Sequence, residues 1–380
     1  MVRQLQSVFI LGGYGNTGRL MARLFLTNTP VRVIIAGRNI HSVVQFQRQL
    51  QQDYSGDRVG VMSVDAADES GVAQALAGVD LLVVASSTTD QAATIARAAL
   101  QAGCDYLDIN LGSDKLRQLR AMENEIQATG RCFVTEGGFH PGLPAAMIRT
   151  AAEKMDRLEA AIVGSVIGID WAKLTFSPAT LTEFVQELMD YQSLEWVNGH
   201  WQKMRWNQAV RKVDFGGDFG IRSVYPMWLP ELEPLPQSIP SLREAGFYVG
   251  GFNPVVDYFL LPLLWMALKI APQRLSNPAG RLFLWGLQRY SKPPFGTVLL
   301  LQAVGKKADE PARFHLRLEH EDGYFLTAAG AVATALQILN GTRRKPGLWL
   351  QGNFVDTDRL WMDLKTMGVA VSASNAIDRN

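Results

Sequence analysis

The sequence predicts an α/β protein: an N-terminal doubly wound parallel sheet, then a second α+β domain with a mixed or antiparallel sheet. Three observations carry this. Short runs of Val, Ile and Leu alternate with amphipathic runs through the first third of the chain. A glycine-rich turn, "GGYGNTG", follows the first apolar run. Beyond residue 144 the pattern changes to long strand candidates, hairpin signals and proline-rich turns.

The elements follow in order. "SVFILG" reads as a strand and "NTGRLMARLFLTN" as a helix with Leu20, Met21, Leu24 and Phe25 on one face. "VRVIIAG" is the second strand and "HSVVQFQRQLQQ" the second helix. "RVGVMSVD" and "VDLLVVASS" are the third and fourth strands, with a short helix between them that ends at Gly78. "TTDQAATIARAALQAG" is a helix with a Thr/Asp start and a glycine stop. "DYLDIN" and "RCFVTE" are further strands, with "SDKLRQLRAMENEIQATG" as one helix between them. The strands are near-continuous in apolar residues rather than alternating, as a parallel sheet covered on both faces requires.

Further on, "LEAAIVGSVIGIDW" is a long strand, "TLTEFVQELMDY" a helix, and "LEWVNGHWQKMR" a hairpin turning at Asn198-Gly199. Two apolar helices follow around 255–270 and 279–290. "TVLLLQAVGKK" and "RFHLRLEHED" read as paired antiparallel strands, and "YFLTAAGAVATALQILNG" and "DTDRLWMDLKTMG" as closing helices. The expected domains are 1–143, 144–323, and 324–380 as C-terminal helices returning to the first domain.

Apolar residues are 47% and charged residues 19% of the 380, a globular composition. The net charge of +1 and the absence of a basic stripe with interleaved aromatics argue against nucleic-acid binding. Cys104 and Cys132 have no metal-ligand partner at short spacing, so no metal is expected and both read as buried thiols of a reducing, cytoplasmic compartment. "MVRQLQSVFILGG" lacks the apolar length and cleavage site of a signal peptide. The greasiest run, Tyr258 to Leu268, is broken by Pro262 and falls short of the about 20 residues that span a bilayer. It reads as a buried helix, or as an apolar substrate wall or peripheral membrane patch over 258–271.

The chemistry starts at the glycine turn. Gly13, Gly15 and Gly18 have the spacing of a dinucleotide-binding turn between strand and helix. Gly13 is expected to make the turn, Gly15 to admit a pyrophosphate and Gly18 to let helix pack on strand, with Tyr14, Asn16 and Thr17 around the anion. An NAD site usually has an acid some twenty residues on, for the ribose hydroxyls. Here "IIAGRN" has Arg38 and Asn39, which predicts NADP, with NAD the alternative. Ligands of such sheets lie beyond the strand C-termini, which adds Asp65 and Ala66, Ala85, Ser86 and Ser87, and Asn110 and Gly112. In "TEGGFHPGLPAAMI", His140 is the acid/base candidate by position; the alternative is a histidine bonded only to loop backbone.

Together "GGYGNTG", "AGRN", "YLDIN" and "GGFHPGLP" resemble the saccharopine dehydrogenase-like family of NAD(P)-dependent oxidoreductases. So do the middle stretch "DFGGDFGIRSVYPMWLPELEPLP" and the tail "GLWLQGNFVDTDRLWMDLKTMGV". The resemblance implies a Rossmann domain, a substrate domain and a homodimer. It also implies hydride transfer to or from an imine or carbonyl carbon of a small substrate. By position it places Arg222 and Tyr225 towards the substrate, and Phe139, Pro141 and Gly142 along the cofactor–substrate junction. Against it, His140 stands where Asp is more usual, and no convergent set of arginines beyond Arg222 and Arg289 offers itself to a polycarboxylate. A reductase of a lipid-like ketone or enoyl group, or a non-catalytic NADP-binding regulator, are the alternatives.

Overall fold

The computed structural model describes residues 5–174, 176, 178–205 and 210–377. The chain divides into two compact units, Met1–Leu143 with Tyr324–Met367, and Pro144–Gly323 with Gly368–Asn380.

The first unit holds a parallel sheet of β1 (Ser7–Leu11), β2 (Arg32–Gly37), β3 (Val59–Ser63), β4 (Leu81–Val84), β5 (Asp105–Asp108) and β6 (Cys132–Thr135). Their spatial order is β3-β2-β1-β4-β5-β6, so the winding reverses between β1 and β4. Every residue of β1, β4, β5 and β6 is buried, as two covered faces demand. The connecting helices are α1 (Asn16–Asn28), α2 (Ile40–Asp53), α3 (Glu69–Ala75), α4 (Ala92–Ala102), α5 (Ser113–Ala121) and α6 (Glu123–Ala128). The single helix expected across 113–128 breaks at Met122, which turns into the core with Leu119 and Ile126.

The segment after residue 324 is not all helical. The helix Phe325–Leu339 packs on α1, and its alanines are buried. Gly347–Leu350 then adds a seventh parallel strand beyond β6. A four-residue strand covers the edge of β6, a role that periodicity in so short a run does not reveal.

This segment grips the loop after β6. Gln351 is fully buried. Its Oε1 accepts from Gly138 N–H at 2.9 Å and from Thr334 Oγ1 at 2.9 Å, and its Nε2 donates to Gly138 O at 3.1 Å. Glycine is required at two contacts: a Cβ would lie 2.4 Å from Gln351 Nε2 at Gly142 and 2.4 Å from Gly138 O at Gly330.

The second unit is built on β7 (Arg157–Gly168), β8 (Leu194–Val197), β9 (His200–Lys203), β10 (Arg211–Asp214), β11 (Ile221–Pro226), β12 (Glu244–Gly250), β13 (Gly296–Lys307) and β14 (Glu310–His320). The sheet runs β10-β11-β12-β7-β13-β14, and β7 pairs parallel with β12 and antiparallel with β13. The closing residues Ala370–Ile377, expected as part of a helical tail, instead pair antiparallel with β14. The β8–β9 hairpin turns at Asn198 and Gly199, both with positive φ, as a type I′ turn needs. One core of this unit lies on the sheet around Phe215, Val224 and Tyr248. A second lies among the helices Pro178–Asp190, Leu261–Ile270 and Pro272–Arg289, around Trp171 and Phe283.

Replacing Gln351 with Leu strands the Gly138 amide and carbonyl in the interior, while the Thr334 hydroxyl keeps Gly330 O as its acceptor at 2.9 Å. The expected loss is about 2–4 kcal/mol of unfolding free energy in urea denaturation.

Candidate functional site

The site is built where the winding of the first unit reverses. The positive-φ residue of the turn after β1 is Gly12 (φ 84), not Gly13 as expected from the spacing. A Cβ on Gly12 would lie 2.8 Å from Ser86, so only glycine lets the turn meet the end of β4. Gly18 packs closer still: a Cβ there would lie 2.3 Å from Gly12 O. Gly15 is the N-cap of α1 and supplies no side-chain cap, and the first turn contains no acid. The amides of Asn16, Thr17 and Gly18 are thereby offered to an external anion at the positive end of the helix. A pyrophosphate fits this cradle.

Tyr14 folds over the end of β2. A Cβ on Gly37 would meet Tyr14 Cε1 at 2.3 Å, so the ring edge lies against that glycine. Arg38 follows, exposed and without a hydrogen bond or ion pair among the described residues. That leaves its guanidinium available to a phosphate. Asn39 is occupied: its side chain accepts from Ser42 N–H at 3.2 Å and caps α2. Asp65 likewise accepts from Ala67 N–H at 3.1 Å, and Ala66 is buried.

The ends of β4, β5 and β6 are tied together by a polar network that the sequence pattern did not reveal. Ala85 N–H donates to Leu11 O at 2.8 Å, joining β4 to β1. Asn110 Nδ2 donates to Ser86 O at 3.2 Å. Ser86 Oγ lies 3.0 Å from Thr88 Oγ1, and Ser87 is engaged as well. Gly112 caps α5, though a Cβ there would find ordinary contacts. Beneath them Lys115 is buried. Its Nζ donates to Asp108 Oδ1 at 2.6 Å, to Thr135 Oγ1 at 2.7 Å and to Asn110 O. Thr135 Oγ1 donates in turn to Asp108 Oδ2 at 2.7 Å. The hint was the pairing of "YLDIN" with a lysine one helical turn into "SDKLRQL". Its amphipathic run disguised that lysine as a surface residue.

Glu136 follows β6 in a left-handed conformation (φ 55) and is buried. Its backbone N–H reaches Asp108 Oδ1 at 3.3 Å, while neither carboxyl oxygen has a hydrogen-bond partner among the described residues. Burial pushes its pKa up to about 7, with Lys115 pulling down and Asp108 adding to the rise. His140 keeps a little surface and packs against the Phe139 ring, with centroids 4.3 Å apart. Burial pushes its pKa down to about 4, so the ring is neutral near pH 7. Phe139, Pro141 and Gly142 are interior residues, with Gly142 packed on Gln351.

Arg222 and Tyr225 lie on β11 in the second unit. Three residues apart on a regular strand, they leave it on opposite faces. Arg222 donates from Nε to Phe219 O at 2.8 Å, and Tyr225 Oη approaches Tyr258 Oη at 3.5 Å.

Residues 8–137 match the family model of the saccharopine dehydrogenase NADP binding domain. The first unit therefore carries an NADP-binding domain of the saccharopine dehydrogenase type. Among solved structures, apo saccharopine dehydrogenase (L-Glu forming) from Saccharomyces cerevisiae aligns over 98% of this chain and 100% of its own, with a TM-score of 0.68 and 15% identity. At that identity the likeness speaks for the fold alone. A mutant of meso-dapdh from Clostridium tetani aligns over 95% of this chain and 98% of its own, with a TM-score of 0.47 and 12% identity. Comparison with curated proteins finds no match.

A carboxyl held protonated by burial costs stability once the unfolded chain ionises. Glu136 imposes no penalty below pH 4.5; the penalty grows as pH rises and is complete above about 7. Glu136→Gln is expected to match the parent at pH 4 and exceed it at pH 8 by up to about 3 kcal/mol in chemical denaturation.

Proposed function

We propose that the protein is an NADP(H)-dependent oxidoreductase acting on an imine or carbonyl carbon of a small substrate. The observation that carries this is the uncapped N-terminus of α1 beside an unpaired Arg38, inside a domain of the NADP-binding type. Gly15, Asn16, Thr17 and Gly18 would hold the pyrophosphate on backbone amides, and Arg38 the 2′-phosphate, with Tyr14 against the adenosine. The ends of β4 and β5, at Ala85, Ser86, Ser87, Asn110 and Gly112, would lie along the nicotinamide half. When bound, the cofactor supplies the hydride.

The chain's own residues then have two tasks. The Lys115 network holds the three strand ends rigid around the reacting region. His140, neutral at working pH, would orient the reacting heteroatom through a hydrogen bond or accept its proton, rather than deliver one as an imidazolium. Glu136, beside that network, has its pKa pushed by burial up to about 7. Two buried thiols support a reducing compartment such as the cytoplasm, and the family resemblance suggests a homodimer as the working form.

A second reading, reduction of a lipid-like ketone or enoyl group, draws support from the exposed apolar residues Phe259, Met266 and Ile270 in the second unit.

Two experiments test the proposal. Arg38→Asp is expected to weaken NADPH binding by about 10- to 100-fold while leaving NADH binding intact. Unchanged relative affinities in fluorescence titration would sink the cofactor assignment. His140→Ala is expected to lower kcat by about 100-fold or more with NADPH affinity unchanged. Full turnover in an NADPH-oxidation assay, with amine/keto-acid pairs and apolar carbonyls as substrates, would leave the residue a structural role.

A further inference from the structure

The helical layer of the second unit has two apolar faces. Its inner face is ordinary: Val256, Leu264 and Leu268 are buried with Phe283 and Leu287 of the following helix. The outer face is not. Phe259, Leu263, Met266 and Ile270 follow one another at spacings of four, three and four, a single stripe of a helix. They are 72%, 50%, 61% and 83% exposed. Trp285, half exposed on the next helix, adds to this apolar surface. Apolar residues on both faces belong to a buried or membrane-contacting helix, and a soluble monomer rarely shows such a patch.

The charges along this stretch of chain have one sign; the neighbouring helix Pro178–Asp190 carries Glu183, Glu187 and Asp190. From Tyr258 to Lys292 the chain carries Lys269, Arg274, Arg281, Arg289 and Lys292 and no acidic residue. All five cations are exposed. Asp257, just before the stretch, is partly buried and accepts from Phe252 N–H at 3.0 Å. Lys269 lays its ammonium 3.9 Å from the centre of the Trp265 ring. An aromatic ring with a lysine reaching past it is the pairing found at the level of lipid headgroups.

We propose that this face docks on the surface of an anionic lipid bilayer. The stripe enters the headgroup–acyl boundary, and the five cations meet the lipid phosphates. The continuous helical run over residues 254–270, a π turn at Val256–Leu260 followed by the α-helix Leu261–Ile270, rises about 25 Å, short of about 30 Å of hydrocarbon. No helix among the described residues is long and apolar enough to cross a membrane. A second copy is the poorer occupant. A two-fold contact would set the same cations against themselves with no carboxylate from this stretch between them. Docking of this kind does not depend on the reaction proposed above.

The test is co-sedimentation of the full chain with phosphatidylcholine vesicles, with and without phosphatidylglycerol. The protein is expected to pellet with the phosphatidylglycerol vesicles, to leave them at high salt and to ignore pure phosphatidylcholine. Phe259→Ser combined with Met266→Ser should lower the partition coefficient by about 10-fold or more. Removing one exposed cation, as in Arg281→Gln, should lower it by about 5-fold. Unchanged NADPH affinity and circular dichroism show that the variants remain folded. Failure to pellet with either vesicle overturns the proposal, as does pelleting that disregards lipid charge. So does a dimer by light scattering that the Phe259/Met266 variant splits into monomers, which would make a second copy the occupant.

Discussion

The first unit depends on how closely backbone can approach backbone at the glycine turn. Gly12 touches Ser86 where any side chain would collide, and Gly18 sits on Gly12 O. That contact brings the N-terminus of α1 up to the end of β4. From Ser86 the constraint passes to Asn110, from Asn110 O to Lys115, and from Lys115 to Asp108 and Thr135. The anion cradle and the loop carrying Glu136 and His140 are thus ends of one connected chain of contacts. A buried lysine with three acceptors makes that chain stiff, because each acceptor left alone would be an uncompensated buried polar group.

The same network explains why two titratable residues in one loop behave in opposite ways. Glu136 is buried and His140 largely so, and burial favours the neutral form of each. For the carboxyl this means holding its proton up to neutrality; for the imidazole it means losing one. Position alone favoured His140 as the proton carrier. The electrostatics of the fold shift that capacity towards Glu136, four residues earlier.

The second unit shows a different economy. Its sheet carries a core and its helices are packed on one side, yet the helix after Asp257 presents Phe, Leu, Met and Ile to the outside. The composition of that run was legible from the start. Its exposure was not, because a doubly apolar helix reads as buried in any one-dimensional pattern. Only the packing shows that one face has protein against it and that, among the described residues, the other is exposed.

What the sequence determined by itself is local and periodic. Continuous Val-Ile-Leu runs separated by amphipathic helices imply a parallel sheet. The glycine spacing implies an anion at a helix terminus. Arg38, at the place of an acid, implies NADP. Asn198-Gly199 implies a hairpin. These follow from backbone sterics and from single charges. What the tertiary structure alone decided is pairwise and distant. Gln351 clamps Gly138 across 213 residues of chain. Gly347–Leu350 completes the first sheet and Ala370–Ile377 extends the second. The pleat of β11 sends Arg222 and Tyr225 to opposite sides, and Lys115 is buried rather than solvated. A side chain's environment is the sum of neighbours that only folding brings together, and that sum sets both burial and charge.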